Sequence, residues 1–303
     1  MAVTDLTTPS YPSRIGIAAA RLSVWDPCTR KAKLGAKKGY VTQAVTDAQF
    51  TPDVTDPKKV EVESANPYRP YNNKVVFPPL VKGGTLELTM NPGAHDAAAM
   101  WMPGAAILDG ATVIGWLDYV GAVAEQLAVE VWSFLDWGPE CASNAYPVER
   151  HFYVGGYPSM GADQFTKGDD SMSSTLSLEL QPLPPAPDIV LTGTSTTSGD
   201  ATLTVSSTTG ISVGDLVVGT GIPVGARVLS ITDATHLEMT ANASATGTVS
   251  ATFSYGGPFG DFPAGVMTQL QAAYVASKSI YQARFYEADL PSSLAGTGFL
   301  TIS

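Results

Sequence analysis

The chain has 303 residues, 44% hydrophobic and 15% charged, and its 17 Lys+Arg against 28 Asp+Glu give a net charge of −11. At roughly 100–200 residues per domain the length accommodates about two cores, and low charge with 29 Gly and 22 Pro points to β-structure with many turns. The acidic balance excludes a nucleic-acid wrapper working by phosphate neutralisation; no apolar run of about 18 residues spans a membrane, and Met1–Arg14 lacks a signal-type apolar stretch.

The charge is unevenly placed. Residues 1–82 hold 12 basic and 7 acidic residues, 12 − 7 = +5, and the remainder holds 5 and 21, 5 − 21 = −16. In the basic front, Arg30, Lys31, Lys33, Lys37 and Lys38 fall within nine residues, punctuated by Gly35 and Gly39. This pattern reads either as a solvated hairpin loop or as an arm that docks on an acidic surface of an identical neighbour. The cysteines, Cys28 and Cys141, fit reduced thiols better than a disulfide framework.

Strands are predicted at Tyr40–Thr46, Lys59–Glu63 and Lys74–Phe77. Thr85–Met90 alternates, with Leu86, Leu88 and Met90 on one face, and the spacing predicts a short helix at Ala94–Trp101, capped by Asn91 or Asp96 and stopped by Pro103-Gly104. Further strands follow at Leu127–Phe134, Glu149–Val154 and Ser174–Leu180, the last with Leu176, Leu178 and Leu180 on one face. Composition then shifts at Gln181–Asp188, where four prolines make a stiff linker. From Ile189 to Ser254 the chain is about one third Ser and Thr, with Arg227 its sole Lys or Arg and Phe253 its sole aromatic residue. Alternation at Ala201–Val205, Ala226–Ile231, His236–Met239 and Thr246–Phe253, with glycine turns between, predicts a compact β-module. The aromatic style returns through Tyr255–Gly265, followed by a helix over Ala264–Lys278 and a strand over Ile280–Glu287. The fold class is therefore mostly β with a short helix: a discontinuous domain, residues 1–188 and 255–303, interrupted by a small all-β module, residues 189–254.

Residues for chemistry are sparse. His95, His151 and His236 lie in separate segments without ligand spacing. Gly156-Tyr-Pro-Ser-Met-Gly161 is one residue too long for a nucleophile elbow, Gly219–Gly225 opens no helix and contains Pro223, and Asp169-Asp170 lacks a calcium-loop frame. No catalytic, cofactor-binding or metal site is expected.

Several segments together resemble the major tail tube proteins of long-tailed bacteriophages, especially those of actinobacteria. They are Arg21-Leu-Ser-Val-Trp-Asp-Pro-Cys28, Gly39-Tyr-Val-Thr42 with Phe50-Thr-Pro-Asp-Val54, Val60-Glu-Val-Glu-Ser-Ala-Asn66, Leu86-Glu-Leu-Thr-Met-Asn-Pro-Gly93 and Tyr255-Gly-Gly-Pro-Phe259, with Leu127–Trp132, Tyr153–Gly161, Asp163-Gln-Phe-Thr166 and Leu176–Leu180 following the later strands. Where the family often has a second cysteine, this chain has Pro67-Tyr-Arg-Pro-Tyr71. The insert, with Gly210-Ile-Ser-Val-Gly-Asp215 and Gly219-Thr-Gly-Ile-Pro223, resembles small β-modules on the outside of phage tails and capsids.

The resemblance implies a tail-tube-type β-sandwich whose sheets join six-fold into an inner barrel, rings that stack into a tube, no enzyme activity and a place in the virion. It implies as partners other copies of the chain, a tape measure protein, a tail terminator and distal tail proteins, with double-stranded DNA passing through unbound. An acidic lumen would let DNA slide, and Glu61, Glu63, Glu87 and Glu179 alternate with apolar residues as lumen-facing candidates. Arg30, Lys31, Lys33, Lys37 and Lys38, with Tyr68 and Tyr71, are candidates for contacts between rings. The insert would decorate the exterior, hung on two tethers and removable. The alternatives are a tail terminator, a capsid decoration protein or a carbohydrate-binding adhesion protein that uses Trp101, Trp116, Trp132 and Trp137 as sugar platforms.

Overall fold

A computed structural model describes residues 13–54, 59–63, 72–76, 81–90, 100, 104–110, 112–118, 124–136, 147–160 and 174–302. Strands hold most of the described residues, so the fold is mostly β with a short helix. The strands before the module are β1 Ser13–Asp26, β2 Lys31–Ala32, β3 Gly35–Thr42, β4 Val45–Val54, β5 Lys59–Glu63, β6 Asn72–Val76, β7 Val81–Met90, β8 Gly104–Asp109, β9 Thr112–Asp118, β10 Gln126–Asp136, β11 Val148–Met160 and β12 Ser174–Leu180. Residues 189–254 supply β13 Ile189–Thr196, β14 Thr202–Thr204, β15 Leu216–Gly219, β16 Val228–Ile231, β17 His236–Met239 and β18 Gly247–Ser254; α1 Ala264–Val275, β19 Gln282–Glu287, a 3-10 turn Ser292–Leu294 and β20 Gly298–Ile302 complete the chain. Apart from Met100, the helix expected at Ala94–Trp101 lies outside the described residues.

The large sheet runs β20-β3-β1-β10-β11-β12-β7-β4, with β19 beside β11 and β2 beside β1. β11 is its corner. It pairs with β19 over Val148–Tyr153 and with β12 over Gly156–Met160, and its register with β10 slips between Tyr153 and Gly156. Two glycines permit the turn. A Cβ on Gly155 would lie 2.3 Å from the Trp25 ring, and one on Gly156 would lie 2.9 Å from Leu180. The sheet thus folds back on itself. Leu86, Leu88, Met90, Leu176, Leu178 and Leu180, the alternating residues of the sequence, pack onto Leu22, Val24, Leu127, Val129 and Val131 of β1 and β10.

The opposite face of β1, β10 and β11 is covered as well. Trp25, Ala128, Phe152 and Val154 pack on Phe262, Met267 and Leu216, and Ala19, Val41 and Trp132 pack on Leu294. With cover on both faces, β10 is buried without a break from Gln126 to Ser133, which is why it reads as a nearly continuous apolar run.

The strands of residues 189–254 run β15-β18-β13-β14-β17-β16. Leu216 bridges Arg227, while the Val217 and Val228 amides donate to Ala226 and Asp215 carbonyls, so β15 and β16 meet and the sheet closes into a barrel. Leu203, Val217, Val228, Leu237, Met239 and Phe253 fill it. The barrel does more than hang from its tethers. Arg227 donates to the Gly260 and Phe262 carbonyls, Asp215 accepts from Lys31 and the Gly256 amide, and Gly214 crosses Gly256 and Gly260 so closely that a Cβ at any of the three would collide with backbone. The module is therefore docked on the return segment as well as tethered to it: its one arginine satisfies carbonyls of that segment, and Leu216 shares that segment's core.

The helix α1 stops at Val275 rather than Lys278. Ser277 takes the left-handed conformation (φ 53°), the Lys278 amide donates to Ala273 O and the Ser277 amide donates to Tyr274 O, which together form a Schellman cap with serine where glycine is usual. Ser277→Gly removes that strain and should stabilise the protein by about 0.5–1 kcal/mol, read as a higher melting temperature. An unchanged or lower melting temperature would contradict this account of the helix end.

Candidate functional site: an acidic sheet face and a basic groove

Strand alternation assigns each side chain of β11, β12, β7 and β4 to one of two faces. Along Tyr157–Ser159 of β11, Ser177–Glu179 of β12, Thr85–Thr89 of β7 and Asp47–Asp53 of β4, the odd-numbered residues face away from the core. Tyr157, Glu179, Thr85 and Thr51 lie in one cross-strand row and Ser159, Ser177, Glu87 and Gln49 in the next. Asp47 and Asp53 extend the same face along β4, and Asp47, Asp53, Glu87 and Glu179 are all exposed. The four-stranded face is therefore hydroxyls, amides and four carboxylates. Lys82 touches its rim, in a groove of about 400 Å³ shared with Asp53 and Glu179. Two of the four predicted lumen residues, Glu87 and Glu179, are brought together here. Glu61 and Glu63 lie on β5, and their side chains fall outside the described residues. Asp47 and Asp53 were missed, although the polar alternation Asp47, Gln49, Thr51, Asp53 carried the signal.

Behind the opposite layer sits a buried ionic cluster that no sequence motif marked. Arg21, Glu130 and Arg150 are 0% exposed. Arg21 donates to Glu130 (2.7 Å), to both oxygens of Asp261 (2.9 and 3.1 Å) and to the Ser293 hydroxyl (2.7 Å). Arg150 donates to the other oxygen of Glu130, to Asp261 (2.7 Å) and to Glu287 (3.0 Å), whose second oxygen accepts from the Trp132 indole (2.8 Å). The guanidinium carbon of Arg21 lies 3.9 Å from the Phe259 ring centre, and that of Arg150 lies 4.7 Å from Phe262. Burial disfavours the Asp261 carboxylate, but the charges of Arg150 and Arg21 outweigh it and hold that carboxyl well below its usual range. Burial likewise opposes the Arg150 charge, and Glu130, Asp261 and Glu287 overcome it to raise its pKa. Trp132, packed at 0% exposure under these guanidiniums, is no sugar platform.

The basic loop is largely committed within the chain. Lys31 pairs with buried Asp215 (3.1 Å) and donates to Gly210 O (2.9 Å); Lys33 and Lys38 share the single carboxylate of Glu125; Lys37 sits over Phe299 and Arg30 over Tyr274. Burial would raise the Glu125 carboxyl, but the hydrogen bond from Lys33 and the charges of Lys38 and Lys33 hold it below its ordinary value. Two ammoniums on one carboxylate leave positive charge over. Between this loop and the barrel runs a groove of about 620 Å³, with Ala32, Leu34, Ile189 and Ile211 as apolar lining and Arg30, Lys33 and Lys38 as cationic lining. Tyr68 and Tyr71 lie outside the described residues.

The cavity bounded by Trp25, Phe152, Tyr255 and Met267 encloses about 20 Å³, no more than a water or so. Among the described residues no group of three or more His, Cys, Asp or Glu is placed to hold a metal ion. No family model and no curated protein matches the chain.

Glu130 joins two fully buried arginines, so Glu130→Leu should cost on the order of 3–5 kcal/mol in denaturant unfolding; a loss under about 1 kcal/mol would show that the cluster is not a structural hub. The depressed Asp261 carboxyl also fixes the sign of an acid response. The unfolded chain binds the proton first, so this contribution is complete at neutral pH and is lost as pH falls below about 4 towards the folded pKa. Asp261→Asn should flatten the acid limb of the stability curve, and an unchanged limb would contradict the assignment.

Proposed function

We propose that the chain is a self-assembling structural protein whose copies close edge to edge into rings and stack into a tube with an acidic lumen, the tail tube of a long-tailed bacteriophage. The carrying observation is the four-stranded sheet β11-β12-β7-β4, polar and acidic on one face, packed on the core by the other, and with open edges on both sides. Among the described residues β4 pairs only with β7, and Tyr157–Met160 of β11 pair only with β12. Such edges are aggregation-prone in a monomer and are satisfied by a second copy.

The strand directions favour a closed ring. Four antiparallel strands alternate up, down, up, down, so β4 of one copy meets β11 of the next, related by rotation alone, in an antiparallel sense. Six copies, the number the resemblance implies, give 24 strands at about 4.8 Å spacing and a backbone diameter on the order of 40 Å, wider with strand tilt. That would admit a DNA duplex between walls that repel its phosphates. The layer order supports an exterior module: acidic face, first core, β1 and β10, second core, then the return segment and barrel. Tape measure, terminator and distal tail proteins are the partners that this reading brings with it, and the virion is its location.

Negative-stain images at rising protein concentration test the proposal, with striated tubes the expected result and a persistent monomer the overturning one. The lumen assignment has its own check. In tubes of Glu179→Cys with Cys28→Ser and Cys141→Ser, so that the new thiol is the sole one, a bulky maleimide added after assembly should fail to label, and ready labelling from outside would place this face on the exterior.

A further inference from the structure

The hairpin β8–β9 is hydrogen-bonded to no other strand among the described residues. A lone two-stranded hairpin is marginal in water, and this one is unusually apolar, Gly-Ala-Ala-Ile-Leu-Asp and Thr-Val-Ile-Gly-Trp-Leu-Asp. The register puts Ala105 opposite Leu117 and Ile107 opposite Gly115, so Ile107 and Leu117 share a face, and they are 38% and 51% exposed. Its charge is wholly negative. Asp109 stands exposed at the tip beside Gly110, Asp118 ends the second strand, and no Lys or Arg occurs between Lys82 and Arg150.

The groove between the basic loop and the barrel has the complementary character. It offers Ala32, Leu34, Ile189 and Ile211 to an apolar strand tip and Arg30, Lys33 and Lys38 to a carboxylate, and Leu34 is 52% exposed. Lys33 and Lys38 divide one carboxylate between them, and among the described residues Arg30 has an aromatic ring and no carboxylate partner, so the groove can take another anion.

Resting on the self-assembly reading above, we infer that the β8–β9 tip of one copy inserts into this groove of a second copy, with Ile107 against the apolar lining and Asp109 against Arg30, Lys33 and Lys38. The contact is heterologous, tip to groove, so it propagates from copy to copy instead of closing a dimer. It also gives the inserted module a role, because Ile189 and Gly210–Ser212 form one wall of the socket.

Cys28 lines the groove and is an exposed free thiol, which provides the test. In full-length Thr112→Cys with Cys141→Ser, mild oxidation of concentrated protein should give a ladder of covalent multimers. Peptide mapping should place the disulfide between Cys28 and the new thiol at position 112. Asp109→Lys in that background should lower the yield on the order of tenfold, and Cys28→Ser should abolish it. Ile107→Cys repeats the test should the first variant fail to fold, judged by circular dichroism. Tubes or multimers that form without this cross-link would overturn the tip-in-groove contact and leave self-assembly standing. A cross-link confined within single chains would also overturn it, by making the hairpin the groove's own lid. Protein that stays monomeric at every concentration would overturn both.

Discussion

The arginine pair Arg21 and Arg150, buried against Glu130, Asp261 and Glu287, is the constraint on which the rest of the structure depends. Its members come from β1, β10, β11, the return segment and β19, so one cluster registers five pieces of chain, two of which follow the barrel. Two guanidiniums face three carboxylates, and nearly every donor is used. Buried ion pairs contribute uncertainly to net stability because desolvation offsets attraction. Their greater effect is to penalise mispairing: any other docking of residues 255–287 would strand one or more of these charges in a dry interior. For a domain interrupted by a whole barrel, that penalty fixes where the chain must come back.

The cluster also explains why the two faces of the central strands differ in chemistry. One face of β1 and β10 is aliphatic and packs on the alternating leucines of β7 and β12. The other carries arginine, glutamate and aromatic rings that hold the return segment, α1 and the 3-10 turn in place. Fixing that second layer fixes the barrel in turn, because Leu216 and Arg227 bind to the segment that the arginines anchor. The acidic sheet lies on the far side of both cores. Among the described residues no other layer packs on its polar alternation, which leaves that face open to a partner.

What could be read from sequence divides along the range of the interactions. Alternation at Thr85–Met90 and Ser174–Leu180 is a local property, and the structure places those leucines in the core at 0–3% exposure. The helix start at Ala264 was legible from Pro263 and the apolar spacing, but its end depended on a left-handed Ser277 that propensity disfavours. The ionic cluster was invisible because Arg21 and Asp261 lie 240 residues apart and neither belongs to a motif. The basic loop was visible as composition but not as pairing, since the carboxylate that Lys33 and Lys38 share comes from Glu125, 92 and 87 residues away.

The charge asymmetry takes on a different meaning once pairs are counted. A surplus of +5 at the front of the chain suggested a free cationic arm. Much of it instead serves internal ends: Arg21 in the core, Lys31 on the barrel's Asp215, Lys33 and Lys38 on Glu125, and Arg14 on Glu149. Within residues 13–54 the surplus that remains is small and local, concentrated at one groove. The negative charge is distributed differently, over an open sheet face and the tips of a hairpin and barrel turns, where nothing within the described chain neutralises most of it. Copies at −11 repel one another over most approaches, and the inferred contact of a carboxylate tip with the groove would bring opposite charges together. Electrostatics of that kind sets the geometry of association more than its strength, which is what the proposed tube would require: copies that stack in one orientation and keep a repulsive surface towards a polyanion.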